Sequence, residues 1–143
     1  MRTIFVLIIA AFVASTITEA RAQFGGLLGK SLGFREGEAS GTYQSNNQIR
    51  TFISAKPYAP INLYEKVITK AAEMTEAKNF ARFGVTKVNC SKMLMNGSPV
   101  AESCYVIAVM VNEGEHVKPR GKRQVQYYDV SEVQAGRIAP PIE

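Results

Sequence analysis

Phe83-Gly84-Val85-Thr86-Lys87-Val88-Asn89-Cys90, then Asn96-Gly97-Ser98-Pro99, then Cys104-Tyr105-Val106-Ile107-Ala108-Val109-Met110-Val111 decide the fold of this chain. The first and third stretches are rich in β-branched and aromatic residues and read as strands. The Asn-Gly pair between them is a strong hairpin signal. A three-residue loop, Asn96-Gly97-Ser98, pairs Met95 with Pro99 and brings Cys90 directly opposite Cys104. Opposed residues in an antiparallel pair come close enough for a disulfide, and a two-residue loop puts the two cysteines on opposite faces. That register also sets Val88 beside Val106 and Val85 beside Val109. Residues 105–111 are apolar on both faces, as expected of a central, covered strand.

The same register divides the hairpin into two faces. One carries Phe83, Val85, Tyr105, Ile107, Val109 and Val111; the other carries Val88, Cys90, Cys104, Val106, Ala108 and Met110. A single long helix covers one of them, and the first has the bulkier side chains, so the helix is expected there. The second must then be covered by the short C-terminal helix, the Gly-rich segment or a partner, which makes Val88, Val106, Ala108 and Met110 a candidate partner face.

Upstream, Ile49-Arg50-Thr51-Phe52-Ile53 reads as a first strand, ended by Pro57 and Pro60. Asn62 is a good N-cap with Glu65 in capping-box position, and Tyr64, Val67, Ile68, Ala71, Met74 and Thr75 recur on one helical face. The helix is expected from about Leu63 to about Phe80. Downstream, Gln124–Tyr128 alternates as a strand, and Asp129 with Glu132 opens a short helix running to about Gly136. The expected architecture is α+β: a single two-layer domain of order β-α-β-β-β-α, with an antiparallel sheet, one long helix packed on it and a short C-terminal helix. It spans residues 49–137, preceded by a Gly-rich linker at 23–48 and followed by a frayed tail at 138–143.

Residues 1–22 read as a secretory signal peptide. Arg2 gives a positive start, Ile4–Val13 is an unbroken apolar run, and Ala20-Arg21-Ala22 is a cleavage pattern. The run is shorter than a membrane span; an uncleaved N-terminal anchor is the alternative. The expected location is therefore exported, in a periplasm or cell envelope. In an oxidising compartment Cys90 and Cys104 make one disulfide. Neither lies next to the apolar run, so a lipid anchor has no cysteine to use there.

Charge and motifs exclude several chemistries. The net charge is +5, and losing a leader with Arg2, Arg21 and Glu19 leaves +4, with acids and bases interspersed. That is a solvated surface more than a nucleic-acid footprint, so no nucleic-acid partner is expected. Gly29-Lys30-Ser31 has Phe24 where a phosphate loop needs its first glycine. Two cysteines and His116 are too few for a zinc site, and Glu113 and Glu115 fall short of a calcium loop. His116 has no nucleophile at a telling distance. No catalytic residue, cofactor or metal is expected. Lys118, Arg120, Lys122 and Arg123 form a basic loop; it is read as solvated, with contact to anions or lipid headgroups as its candidate role.

Lys70-Ala71-Ala72-Glu73-Met74-Thr75, running into Phe80-Ala81-Arg82-Phe83-Gly84-Val85, resembles the helix-to-strand junction of small Gram-negative envelope domains of unknown function, many of them lipoproteins. Tyr128-Asp129-Val130-Ser131-Glu132-Val133 resembles their closing helix. The resemblance covers about residues 45–136, and the chain departs from it in lacking the lipidated cysteine. It implies an envelope location and carries over no activity. The expected function is a non-catalytic exported domain that binds another macromolecule, an envelope protein or a membrane surface, with self-association left open. The alternative is a small-ligand carrier or an envelope enzyme whose site only the fold assembles.

Overall fold

In the computed structural model, residues 37–119 and 121–142 are described; the expected signal peptide and most of the Gly-rich segment lie outside them. The elements are β1 (Ser40–Tyr43), β2 (Gln48–Ala55), α1 (Leu63–Ala77), β3 (Arg82–Met95), β4 (Ser98–Val111), β5 (Gln126–Asp129) and α2 (Val130–Gln134). The strands form one five-stranded sheet in the order β1-β2-β4-β3-β5, antiparallel throughout. This is a single α+β domain with one main helix and a short C-terminal one. β4 is central, as its two-sided apolar run implied.

Two segments differ from expectation. Within the stretch read as linker, Ser40–Tyr43 pairs with Ile49–Phe52. Asn46 and Asn47, both at positive φ, turn the chain between them. At Gly41 a Cβ would run into the Met74 thioether, so the glycine lets this edge strand lie against the helix without displacing that side chain. The tail is also held. The Tyr128 hydroxyl donates to the Ala139 carbonyl, and the Gln126 side chain donates to the Pro140 carbonyl and accepts from the Ile142 amide.

α1 is capped as expected. The Asn62 side chain accepts the Glu65 amide at 3.2 Å. The helix stops at Ala77, short of Phe80, because Asn79 turns to φ +62 and the Phe80 amide folds back to the Thr75 carbonyl. Its buried stripe, including Tyr64, Val67, Ile68, Ala71 and Met74, packs on β2, β4 and β3. The two buried threonines are matched: Thr51 donates to the Val67 carbonyl, and Thr75 donates to the Ala71 carbonyl.

The hairpin register corrects the loop and the faces together. The turn is the two residues Asn96 and Gly97, at φ +52 and +80, and Met95 pairs with Ser98. Cys90 still meets Cys104, because Val100 bulges out of β4 and shifts the register by one. A second bulge, at Thr86 on β3, shifts it back, so Val85 pairs with Ala108 and Phe83 with Met110. Phe83 and Val85 therefore join Cys104, Val106, Ala108 and Met110 in one core with the helix. The helix covers this face, not the bulkier one. Small side chains at Cys104, Val106 and Ala108, each fully buried, make room for Tyr64, Val67 and Ile68.

Candidate functional site

The residues singled out from the sequence scatter. Cys90 and Cys104, opposite one another in the β3–β4 register, form the disulfide, with Cys104 in the core and Cys90 exposed. Val106, Ala108 and Met110 lie in the core under α1, and Val88 is partly buried against it, so the candidate partner face is interior. The reason is the Thr86 bulge, which moves the core to that side of the hairpin. Arg120 lies outside the described residues. Lys118, Lys122 and Arg123 are exposed in the β4–β5 connection, as expected of a loop. Glu115 closes its own turn, accepting from the amide and side chain of Asn112; these bonds hold its carboxyl below the usual range. His116 meets the Tyr127 ring edge-on at 6.0 Å.

Two surface features emerge that the sequence reading did not assemble. The first is the far end of the β3–β4 hairpin. β2 stops pairing with β4 at Ala55 and Glu102, and β5 pairs with β3 only over Arg82–Val85. Past the Lys92–Glu102 ion pair at 3.4 Å, the hairpin continues as a two-stranded tip. On it Met93, Leu94, Met95 and Val100 are 64%, 60%, 62% and 41% exposed. Beside it stands Tyr58, 77% exposed, with the Lys92 ammonium 5.9 Å from its ring. Tyr58 is held at φ +62, the third residue of a turn closed from the Ala59 amide to the Lys56 carbonyl. That position favours glycine. The tip had a sequence signal: Met93-Leu94-Met95 is three apolar residues in a row, which breaks the alternation of a half-buried strand.

The second is a concavity of about 490 Å³ lined by Thr86, Lys87, Lys122, Arg123, Gln126 and Ile142, among others. It brings two members of the basic loop beside a β3 lysine that the sequence reading passed over. Among the described residues no carboxylate lines it. A second hollow, between the start of α1 and α2, is bordered by both Glu65 and Lys66. Among the described residues, no three His, Cys, Asp or Glu side chains gather as a metal site.

No family model, curated protein or solved structure matches the chain. The disulfide fits a non-cytoplasmic setting. Among the described residues no helix is long and apolar enough to cross a membrane.

Proposed function

We propose that this chain is a non-catalytic, exported domain of the cell envelope that binds another protein through the tip of its β3–β4 hairpin. The observation that carries the reading is the exposure of Met93, Leu94, Met95 and Val100 together on one projecting tip. Large apolar side chains scattered singly on a surface are ordinary; gathered ones mark interaction sites. Methionine suits such a surface because its flexible thioether moulds to a partner, and Tyr58 adds an aromatic anchor of the kind enriched at interfaces. Backbone strain at Tyr58 supports the same reading, since strained residues cluster at functional sites. A protein fits better than an anionic membrane because Lys92 beside the tip is matched by Glu102. The basic start, short apolar run and small residues at 20 and 22 support export, with cleavage after Ala22.

The test is a photo-crosslinking side chain placed at Leu94 in intact cells of the native host, with the same group at exposed Glu113 as control. A discrete protein adduct from Leu94, absent from Glu113 and abolished by Met93→Asp, supports the reading. Equal labelling from both positions, or lipid adducts alone, overturns it. N-terminal sequencing of the same material should begin at Gln23, and a start at Met1 removes cleaved export.

A further inference from the structure

We propose that the concavity beside the Thr86 bulge binds a phosphate or sulfate group. The bulge creates the site. β5 pairs with β3 only as far as Gln126 opposite Val85, and the extra residue at Thr86 follows at once, ending the ladder and redirecting the strand. Into the resulting gap the β4–β5 connection places Lys122 and Arg123, just after Gly121 at φ +73, opposite Lys87 on β3.

The walls are fixed. The Thr86 hydroxyl is tied to the Ile107 carbonyl at 3.2 Å. The Gln126 amide clamps the C-terminal segment through Pro140 and Ile142, which sets Ile142 as one side of the hollow. Among the described residues none of Lys87, Lys122 and Arg123 is ion-paired to a carboxylate. The field extends across the sheet. Arg50, Ile107 and Lys87 lie in one cross-strand row on the face away from α1, next to Tyr105. The Tyr105 hydroxyl is held below its ordinary range, first by its hydrogen bond to Lys87 and further by the charges of Lys87 and Arg50.

Three cations around one hollow, with no acid among the described residues of its wall, match a multivalent oxyanion better than a single carboxylate. The guanidinium fork and two ammonium groups spread over three oxygens. The volume admits a group larger than the bare ion, so the phosphate has two sources, a free anion or the headgroup of a lipid.

The experiment uses the full chain purified from its native host. Amide chemical shifts are followed on adding inorganic phosphate, then sulfate, against sodium chloride at matched ionic strength. Co-sedimentation is measured with phosphatidylglycerol and with phosphatidylcholine vesicles. The expected result is saturable movement of amides in 85–88 and 122–126 with phosphate and sulfate but not chloride. Lys122→Gln with Arg123→Gln should weaken binding about tenfold, the scale of losing charge-assisted hydrogen bonds. Lys87→Gln should act in the same direction, and Lys66→Gln should have no effect. Binding to phosphatidylglycerol vesicles that depends on these cations, without a response to free phosphate, assigns the group to a lipid and also supports the site. Shifts that track ionic strength alone, or binding unchanged in the Lys87, Lys122 and Arg123 variants, overturn it. None of these outcomes depends on the hairpin tip.

Discussion

The hydroxyl of Tyr64 on α1 lies 2.5 Å from that of Tyr128 on β5, sixty-four residues away in the chain. Tyr128 in turn donates to the Ala139 carbonyl at 2.8 Å, so Tyr64 is the donor to Tyr128. One relay thus ties the helix, the edge strand and the C-terminal segment, and the Tyr128 ring stacks on Phe83 with centroids 5.6 Å apart. Tyr128→Phe orphans two partners and should lower stability by about 1–3 kcal/mol, whereas Tyr64→Phe leaves the bond to Ala139 and should lower it by about 1 kcal/mol. Urea unfolding of the two variants and the double variant measures the order and the coupling.

The same pair makes the fold sensitive to alkali. Burial raises the pKa of both hydroxyls; the contact with Tyr128 partly offsets this at Tyr64, while the contact with Tyr64 adds to it at Tyr128. A tyrosine whose folded value lies above its unfolded one keeps its neutral form in the fold. Its contribution is complete below about pH 10, the unfolded value, and is lost as the pH rises from there towards the folded value. Urea midpoints measured from neutral pH to above pH 10 should therefore fall more steeply for the native chain than for the double Phe variant. Parallel curves would show that the pair is not responsible.

Reducing the Cys90–Cys104 bond should destabilise the domain by about 3 kcal/mol, on the entropic account of a fourteen-residue separation. The two serine variants should differ. Cys104 is fully buried and Cys90 exposed, so Cys104→Ser also buries a hydroxyl and should be the worse by about 1 kcal/mol. Thermal unfolding of both variants, with thiol counting on unreduced native protein, checks this.

Val106→Asp should unfold the domain, because it sets a carboxylate in the core beneath α1. Leu94→Asp, on the exposed tip, should leave the far-ultraviolet circular dichroism and melting temperature unchanged within error. A folded Val106→Asp protein would contradict the face assignment.

Tyr58→Gly should raise stability by about 1 kcal/mol by relieving the positive φ, with the greater freedom of glycine in the unfolded chain setting the limit. It should at the same time weaken crosslinking from Leu94 to the partner. A variant that gains stability and keeps full crosslinking would show that the Tyr58 ring serves only the turn.

Much of this was local enough to be legible. The Asn62 cap, the apolar stripe from Tyr64 to Thr75, the Asn96-Gly97 turn and the central run 105–111 each act within a few residues, so composition and period reveal them. The Cys90–Cys104 pairing was also legible, although the route to it was not. The expected three-residue loop is in fact a two-residue turn plus a bulge at Val100, and both give the same register at the cysteines.

What the chain alone did not reveal follows from that same arithmetic of register. Side chains in a strand alternate, so one bulged residue exchanges its faces beyond that point. Thr86 does this on β3, and it settles that the helix lies on Val106, Ala108 and Met110 and not on Tyr105, Ile107 and Val109. β1 was hidden because a four-residue edge strand containing Gly41 has no pattern of its own and exists only against β2 and Met74. The cationic hollow and the bare tip were beyond local reading for a related reason. Lys87 meets Lys122 and Arg123 because β5 folds back on β3 and stops at the bulge, and Met93, Leu94 and Met95 stand on a two-stranded tip because β5 leaves β3 at Val85 and β2 leaves β4 at Glu102. Sequence determined most of the elements and the Asn62 cap through short-range geometry, though Asp129 makes no side-chain cap at the second helix; the pairing of distant strands decided which residues became core and surface.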